Sequence, residues 1–323
     1  MCTAITYRGK NNYFGRNLDL EYRYNEKVTI TPRRYDFMYR NGHKFSNHYA
    51  IIGMATISND YPLYYDGTNE VGLSMAGLYF PDNAWYGQIK EEALNVASFE
   101  FIPWILGKCS CIREAIDEIN DINISGEAFS EEYKVAPLHW IIADKEECIT
   151  VESVKSGLNI YDNPVGVLTN NPPFKYHMIN LANYMSTSSM QIQNKMMPDI
   201  RLEKYSNGMG AIGLPGDWSS MSRFVKAAFV KHNSVPMDEE NEMVGQFFHM
   251  LGSVSQIKGC VITPDGLEKT VYTSCCNMDK GIYYYKTYGN SQINGVNMWN
   301  CDLDGEKLVS FQLEDEEKIL YRN

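Results

Sequence analysis

Short runs of apolar and β-branched residues, broken by Gly, Asn or Pro, dominate the first 80 positions: 3–7, 13–18, 27–31, 48–57 ("HYAIIGMATI") and 71–80 ("VGLSMAGLYF"). Such punctuation predicts hairpin-forming strands. Two helical segments follow. The first covers 98–107, with Pro103 near its first turn. The second is "SCIREAIDEIN", where Ser110 is the expected N-cap and Ile112, Ala115, Ile116 and Ile119 recur at i, i+3, i+4 and i+7. The order then repeats. Strands around 138–144, 148–154 and "GLNIYD" precede helices at 219–232 and 239–254, and the chain closes on strands around "KTVYTSCC", "GIYYYKTY" and "SQINGVNM". Blocks of strands alternating with helix pairs predict an α+β fold: two antiparallel sheets packed together with helices on their outer faces, an αββα sandwich. With no 20- to 50-residue repeat and no low-complexity linker, residues 1–323 are expected to form one domain, and 44% hydrophobic residues suffice for a large core.

Charge and cysteine usage remove several classes of function. A formal charge of −11 and the absence of any Lys/Arg cluster argue against nucleic acid. No stretch approaches the roughly 20 apolar residues of a membrane span, and the N-terminus lacks a secretory pattern, so the expected location is the cytoplasm, with no membrane partner. Eight cysteines (Cys2, Cys109, Cys111, Cys148, Cys260, Cys275, Cys276, Cys301) contain no C-x-x-C pair and are expected to be reduced thiols, not zinc ligands. "GMGAIG" (208–213) fits G-x-G-x-x-G literally but lacks the preceding strand and the later acidic residue, so it reads as a glycine-rich loop leading to the helix that carries Arg223. The histidines show no metal-binding spacing, and there is no G-x-S-x-G elbow.

The N-terminus remains. Position 2 is Cys, small enough for a methionine aminopeptidase to expose. A chain beginning at Cys2 carries a nucleophile and a base on one residue: an α-amine of pKa roughly 7.7–8 beside a thiol of about 8.5. If 2–7 and 13–18 pair through "RGKNN", Leu18 lies opposite Cys2 and Arg16 lies diagonal to it, within an arginine's reach of the sulfur. Asp19, just past the strand, can then accept from the α-amine provided the strand bends. Geometry alone leaves open an ordinary strand end with solvated charges.

"MCTAI", "FGRNLDLEY", "LTNNPPF", "AIGLPGD", "SRFVKAAF" and "YTSCCNMDKGIYYYKTY" together resemble the choloylglycine hydrolase family, in particular its bile salt hydrolase branch, over nearly the whole chain. The resemblance implies an N-terminal nucleophile hydrolase with Cys2 as nucleophile, Arg16 and Asp19 beside it, Asn170 in the oxyanion hole and Arg223 supporting the site. It implies no cofactor and no metal. It also implies a small-molecule partner, conjugated bile salts, and a homotetramer with the segment around 183–210 as its assembly extension. One position departs from the pattern. Tyr79 stands where bile salt hydrolases commonly carry asparagine, as in the related penicillin V acylases, and its backbone N–H remains a candidate oxyanion donor. Three readings stay open: bile salt hydrolase, penicillin V acylase, and a non-catalytic ligand-binding relative. A steroid acyl group needs a broad apolar pocket, for which Leu18, Tyr22, Tyr24, Tyr64, Tyr65, Phe80 and the loop "FSEEYKVAP" are the candidates.

Overall fold

The computed structural model describes residues 1–323. Its first large sheet runs, in spatial order, Val167–Leu168, Cys2–Arg8, Asn12–Leu20, Gly266–Asn277, Ile282–Thr287 and Asn294–Asn297, with Val261–Thr263 folded back on Gly266–Asn277. The second runs Gly157–Asp162, Cys148–Val154, Leu138–Ala143, Ser74–Tyr79, Tyr61–Asn69, Ile51–Ser58, Lys27–Thr31 and Val309–Gln312. Every pairing within these two sheets is antiparallel.

Two-residue periodicity explains how the layers stack. In the second sheet Ile52, Met54, Ala76, Leu78 and Ile141 turn toward the first sheet. Their neighbours Ile51, Met75, Trp140 and Ile142 turn the other way, against helices α1 (Phe101–Lys108) and α2 (Ile112–Asp121). Both faces of the sheet are therefore covered, which is why its strands read as nearly continuous apolar runs. A short helix α3 (Phe174–Leu181) leads toward α4 (Ser220–Asn233) and α5 (Glu240–Gly252). Phe224 of α4 and Phe247 and Leu251 of α5 pack into the core of the first sheet, each such buried side chain contributing about 1.5–3 kcal/mol. This is the four-layer αββα arrangement expected from the block order.

Local details differ from the sequence reading. The N-cap of α2 is Cys111, one residue later than expected, while the Ser110 N–H and hydroxyl both donate to Glu114, 2.6 and 2.8 Å away. The carboxylate in the first helical turn collects the donors that Ser110 would have left free. The strand Tyr61–Asn69 and helix α3 have no counterpart in the sequence reading. In the strand, Pro62, Asp66, Gly67 and Asn69 mask its period. The "GMGAIG" segment forms one short 3₁₀ turn between Gly208 and Gly213, both at positive φ, and it leads into α4 as expected.

Candidate active site

The first hairpin fixes the centre of the site. Its register pairs Cys2 with Leu18 and Ala4 with Arg16, so Cys2 and Arg16 point to the same face, one diagonal step apart. That face lies between the sheets. The Arg16 guanidinium spans the gap, donating through Nη2 to Cys2 Sγ and through Nη1 to the carbonyls of Gly77 (2.6 Å) and Tyr65 (3.1 Å). Arg16 is fully buried. Burial works against its charge, but the fields of Cys2, Tyr272, Asp66 and Asp19 outweigh it and leave the guanidinium more basic than usual. The sulfur therefore touches a permanent cation.

The backbone around Cys2 is held from the other side. Asn170, in the loop after Val167–Leu168, accepts from the Cys2 N–H at Oδ1 (2.8 Å) and from Arg223 Nη2 at the same oxygen (2.7 Å). Its amide nitrogen donates to the Tyr79 carbonyl at 2.7 Å, so two donors and one acceptor fix which way the amide faces. One N–H of that amide stays free of this bond. Arg223, on α4, also donates to the Cys2 carbonyl and to Thr3 Oγ1, and its Nε reaches Trp218 O. Burial holds this guanidinium below its usual basicity, opposed by Asp19, Cys2 and Glu268.

Asp19 lies one rung beyond the sulfur. It lies inside the strand Asn12–Leu20, not past its end as expected; its N–H donates to Met1 O, and the neighbouring strand shifts register between Thr270 and Tyr272. Thr270 Oγ1 donates to Asp19 Oδ1 (2.6 Å), while Oδ2 is buried without a partner. Burial raises this carboxyl above the usual range, and the chain's terminal ammonium, Arg223, Thr270 and Arg16 oppose the rise. Met1 is present here, so the expected bond from a Cys2 amine to Asp19 is not formed. The Met1 ammonium instead meets Glu268 and Asp19 O.

Tyr79 closes the strand Ser74–Tyr79. The Phe80 N–H donates to Pro137 O, so by strand alternation the Tyr79 N–H points away from that neighbour, to the edge where Gly77 O meets Arg16. The Tyr79 ring is about half exposed. Cys2, Arg16 and Tyr79 line a cavity of about 480 Å³, whose walls include Leu18, Leu20, Phe99, Ile102 and the loop 129–137. Of the expected pocket residues, Leu18, Tyr24, Tyr64 and Tyr65 line it. Two do not. Phe80 is fully buried against His139, with ring centroids 4.2 Å apart, because its Cβ alternates to the far face of the strand. Tyr22 is exposed beyond the bend and donates nothing to the cavity, its hydroxyl only accepting from Tyr24 OH (3.0 Å).

Sequence reasoning missed the supports. His177 on α3 contacts the Asn170 carbonyl through Nε2 (2.9 Å) and stacks on Phe224. Burial lowers this imidazole to about 4, so it is neutral and donates at Nε2. Ser220 Oγ receives the Asn170 N–H at 2.8 Å. Ser274, on the strand Gly266–Asn277, accepts from the Arg16 backbone N–H at 3.2 Å.

A model of linear amide C–N hydrolases, choloylglycine hydrolase family, matches residues 2–311. A bile salt hydrolase/transferase of Lactiplantibacillus plantarum is 53% identical over 98% of each chain, and one of Clostridium perfringens is 36% identical over 97% of each. The crystal structure of a C2A mutant conjugated bile acid hydrolase from Clostridium perfringens superposes with a TM-score of 0.92 at 34% identity, covering 100% of both chains. A penicillin V acylase from Agrobacterium tumefaciens shares the fold, with a TM-score of 0.78 at 19% identity over 97% of this chain and 92% of its own. With Cys2 set against a buried arginine and residues 2–311 matched, the chain belongs to the choloylglycine hydrolase family of linear amide C–N hydrolases.

Proposed function

We propose that the chain, after loss of Met1, is a single-domain bile salt hydrolase that cleaves the amide of glycine- or taurine-conjugated bile salts. The observation that carries this reading is the Cys2 sulfur, held by Arg16 in a mostly apolar cavity of about 480 Å³, a size and lining suited to a steroid acyl group.

Removing Met1 converts the Cys2 amide nitrogen, already bonded to Asn170 Oδ1, into an amine with protons to spare for the unpartnered Asp19 Oδ2. That amine takes the thiol proton as the sulfur attacks the substrate carbonyl and a C–S bond forms. The carbonyl oxygen, now negative, is stabilised by the Tyr79 N–H and the second N–H of Asn170 Nδ2. The amine returns its proton to the departing nitrogen and the C–N bond breaks. A thioester on Cys2 remains, and water activated by the same amine releases the acid. Interception of that thioester by an amino acid would give acyl transfer, in keeping with the hydrolase/transferase names of the relatives. Arg223 holds the chain end and Asn170 in register. Every step uses groups of this chain.

Intact mass of the purified protein, with glycine release from glycocholate measured in parallel, tests the reading. A chain lacking Met1 that releases glycine supports it. A processed chain that spares glycocholate and hydrolyses penicillin V moves the assignment to penicillin V acylase, the reading that Tyr79 favours. A processed chain that cleaves neither is a binding relative. The same proposal includes a cytoplasmic enzyme, in line with eight free thiols, and a homotetramer assembled through 183–210, where Met185, Met190, Met196 and Tyr205 are each more than 70% exposed. A monomer in light scattering overturns the assembly.

A further inference from the structure

Behind Arg16 lies a buried carboxylate that the mechanism above does not use. Asp66 sits on Tyr61–Asn69 where the register against Ile51–Ser58 slips: Met54 pairs with Asp66 and Ala55 with Tyr64, so Tyr65 is an extra residue. A bulge of this kind frees a carbonyl from the ladder and re-aims the following side chain. Both effects occur. The Tyr65 carbonyl accepts from Arg16, and Asp66 turns into the space between the sheets, 1% exposed. The approach depends on Gly53, where a Cβ would lie 2.1 Å from the Asp66 carbonyl oxygen.

Four donors meet the Asp66 carboxylate: Tyr283 OH (2.9 Å), Ser274 Oγ (2.7 Å), Tyr272 OH (3.3 Å) and the Met54 N–H (3.3 Å). Burial pushes both tyrosines well above their usual range, so they remain O–H donors; it raises the Asp66 carboxyl too, but Arg16, Ser274, Tyr283 and the Met54 N–H oppose that rise, and four donors on its two oxygens suit an ionised acceptor. Ser274 Oγ also accepts from the backbone N–H of Arg16 (3.2 Å), which ties Asp66 to the strand that carries the arginine through one hydroxyl.

The geometry points to Asp66 as a positioning residue that locks Arg16 through Ser274 and limits how strongly Arg16 stabilises an ionised Cys2 sulfur. This rests on Cys2 being the nucleophile, not on the identity of the substrate. The limit has a chemical use. A thiolate stabilised too well is a weaker nucleophile and a better leaving group, so the tetrahedral adduct expels sulfur and reverts instead of losing the amine. The ionisable groups facing Asp66 are Arg16, Tyr272, Tyr283 and Cys276, and those whose fields reach the Cys2 sulfur are Arg16 and Arg223, with Asp19 acting on both arginines. Asp66→Asn leaves the contact between Arg16 and the sulfur in place while deleting a carboxylate whose field acts on Arg16.

The test is the pH dependence of Cys2 alkylation by iodoacetamide, followed by peptide mass on the processed chain. In Asp66→Asn the midpoint is expected at lower pH, with alkylation at pH 6 rising by about 3- to 10-fold and hydrolysis losing kcat with KM little changed. Ser274→Ala removes the hydroxyl that joins Asp66 to the Arg16 backbone and is expected to lower kcat and to move the midpoint the same way by less than Asp66→Asn. An Asp66→Asn chain with native circular dichroism and an unmoved or raised midpoint overturns the proposal. If Asp66→Asn does not fold, Tyr283→Phe removes one donor and is expected to shift the midpoint the same way by less; no shift there overturns it equally. Shifted alkylation in a chain that spares every bile salt removes the substrate assignment and leaves the role of Asp66 standing.

Discussion

Two cavities of about 480 Å³ lie at opposite ends of the strand Cys2–Arg8, and a cysteine and a cation line each of them. At one end the pair is Cys2 and Arg16. At the other it is Cys148 and Lys231. Burial pushes the Cys148 thiol up to about 12, against a weaker pull from Lys231. Burial also brings Lys231 down to about 8, and its ammonium donates to the Val165 carbonyl instead of to sulfur. A hollow with a cysteine in it is therefore not a reactive site. What separates the two is a cation that keeps its proton and whose fork reaches the sulfur and two carbonyls together.

The sharpest way to break this contrast is to delete each thiol. Cys2→Ala is expected to lower kcat for bile salt hydrolysis by at least about 10⁴-fold, whereas Cys148→Ala stays within about twofold. Equal losses would refute it. Next comes pH. The His177 imidazole, lowered to about 4, binds its proton less readily folded than unfolded, where it sits near 6.5. Its contribution to stability is complete above about pH 6.5 and is lost as pH falls toward 4, amounting to roughly 3 kcal/mol. Lys231, lowered from 10.5 to about 8, contributes pH dependence only between those values, so of these two groups only His177 weakens the fold in acid. Urea midpoints of wild type and His177→Gln from pH 7 to 4 should diverge, with the variant flatter. A smaller effect is expected from giving the active end the other end's cation: Arg16→Lys should reduce kcat by about tenfold or more, because one ammonium cannot replace the fork. Smallest is Tyr79→Asn, expected to change the ratio of glycocholate to penicillin V hydrolysis by a few fold while the backbone donor persists.

How much of this was readable in the sequence depends on how local each signal is. The hairpin register, and with it the meeting of Cys2 and Arg16, followed from counting along one turn, and the structure pairs those residues as counted. The block order carried the four layers for the same reason: strand and helix periods are short-range. Asn170 and Arg223 came from the family resemblance alone, since no local pattern brings residues 168 and 221 positions away to Cys2. Pocket membership was half legible. Strand alternation separates Tyr79 from Phe80, yet which face meets a cavity depends on the opposing sheet. Asp66 was invisible because its strand carries Pro62, Gly67 and Asn69, and the bulge that aims it is a property of two strands at once.

The ladder that joins Asp19 N–H to Met1 O shows that the first hairpin accepts a residue ahead of Cys2 as one more rung of sheet. Secondary structure thus does not distinguish an interior cysteine from a terminal one. A purification tag fused ahead of Cys2 would leave a well-folded, well-behaved sample whose sulfur lacks its base. Solubility, melting temperature and a correct chromatographic profile would all be blind to the defect. Tags belong at the exposed 314–323 end, and in any preparation the first residue of the chain is a specification to be checked in its own right.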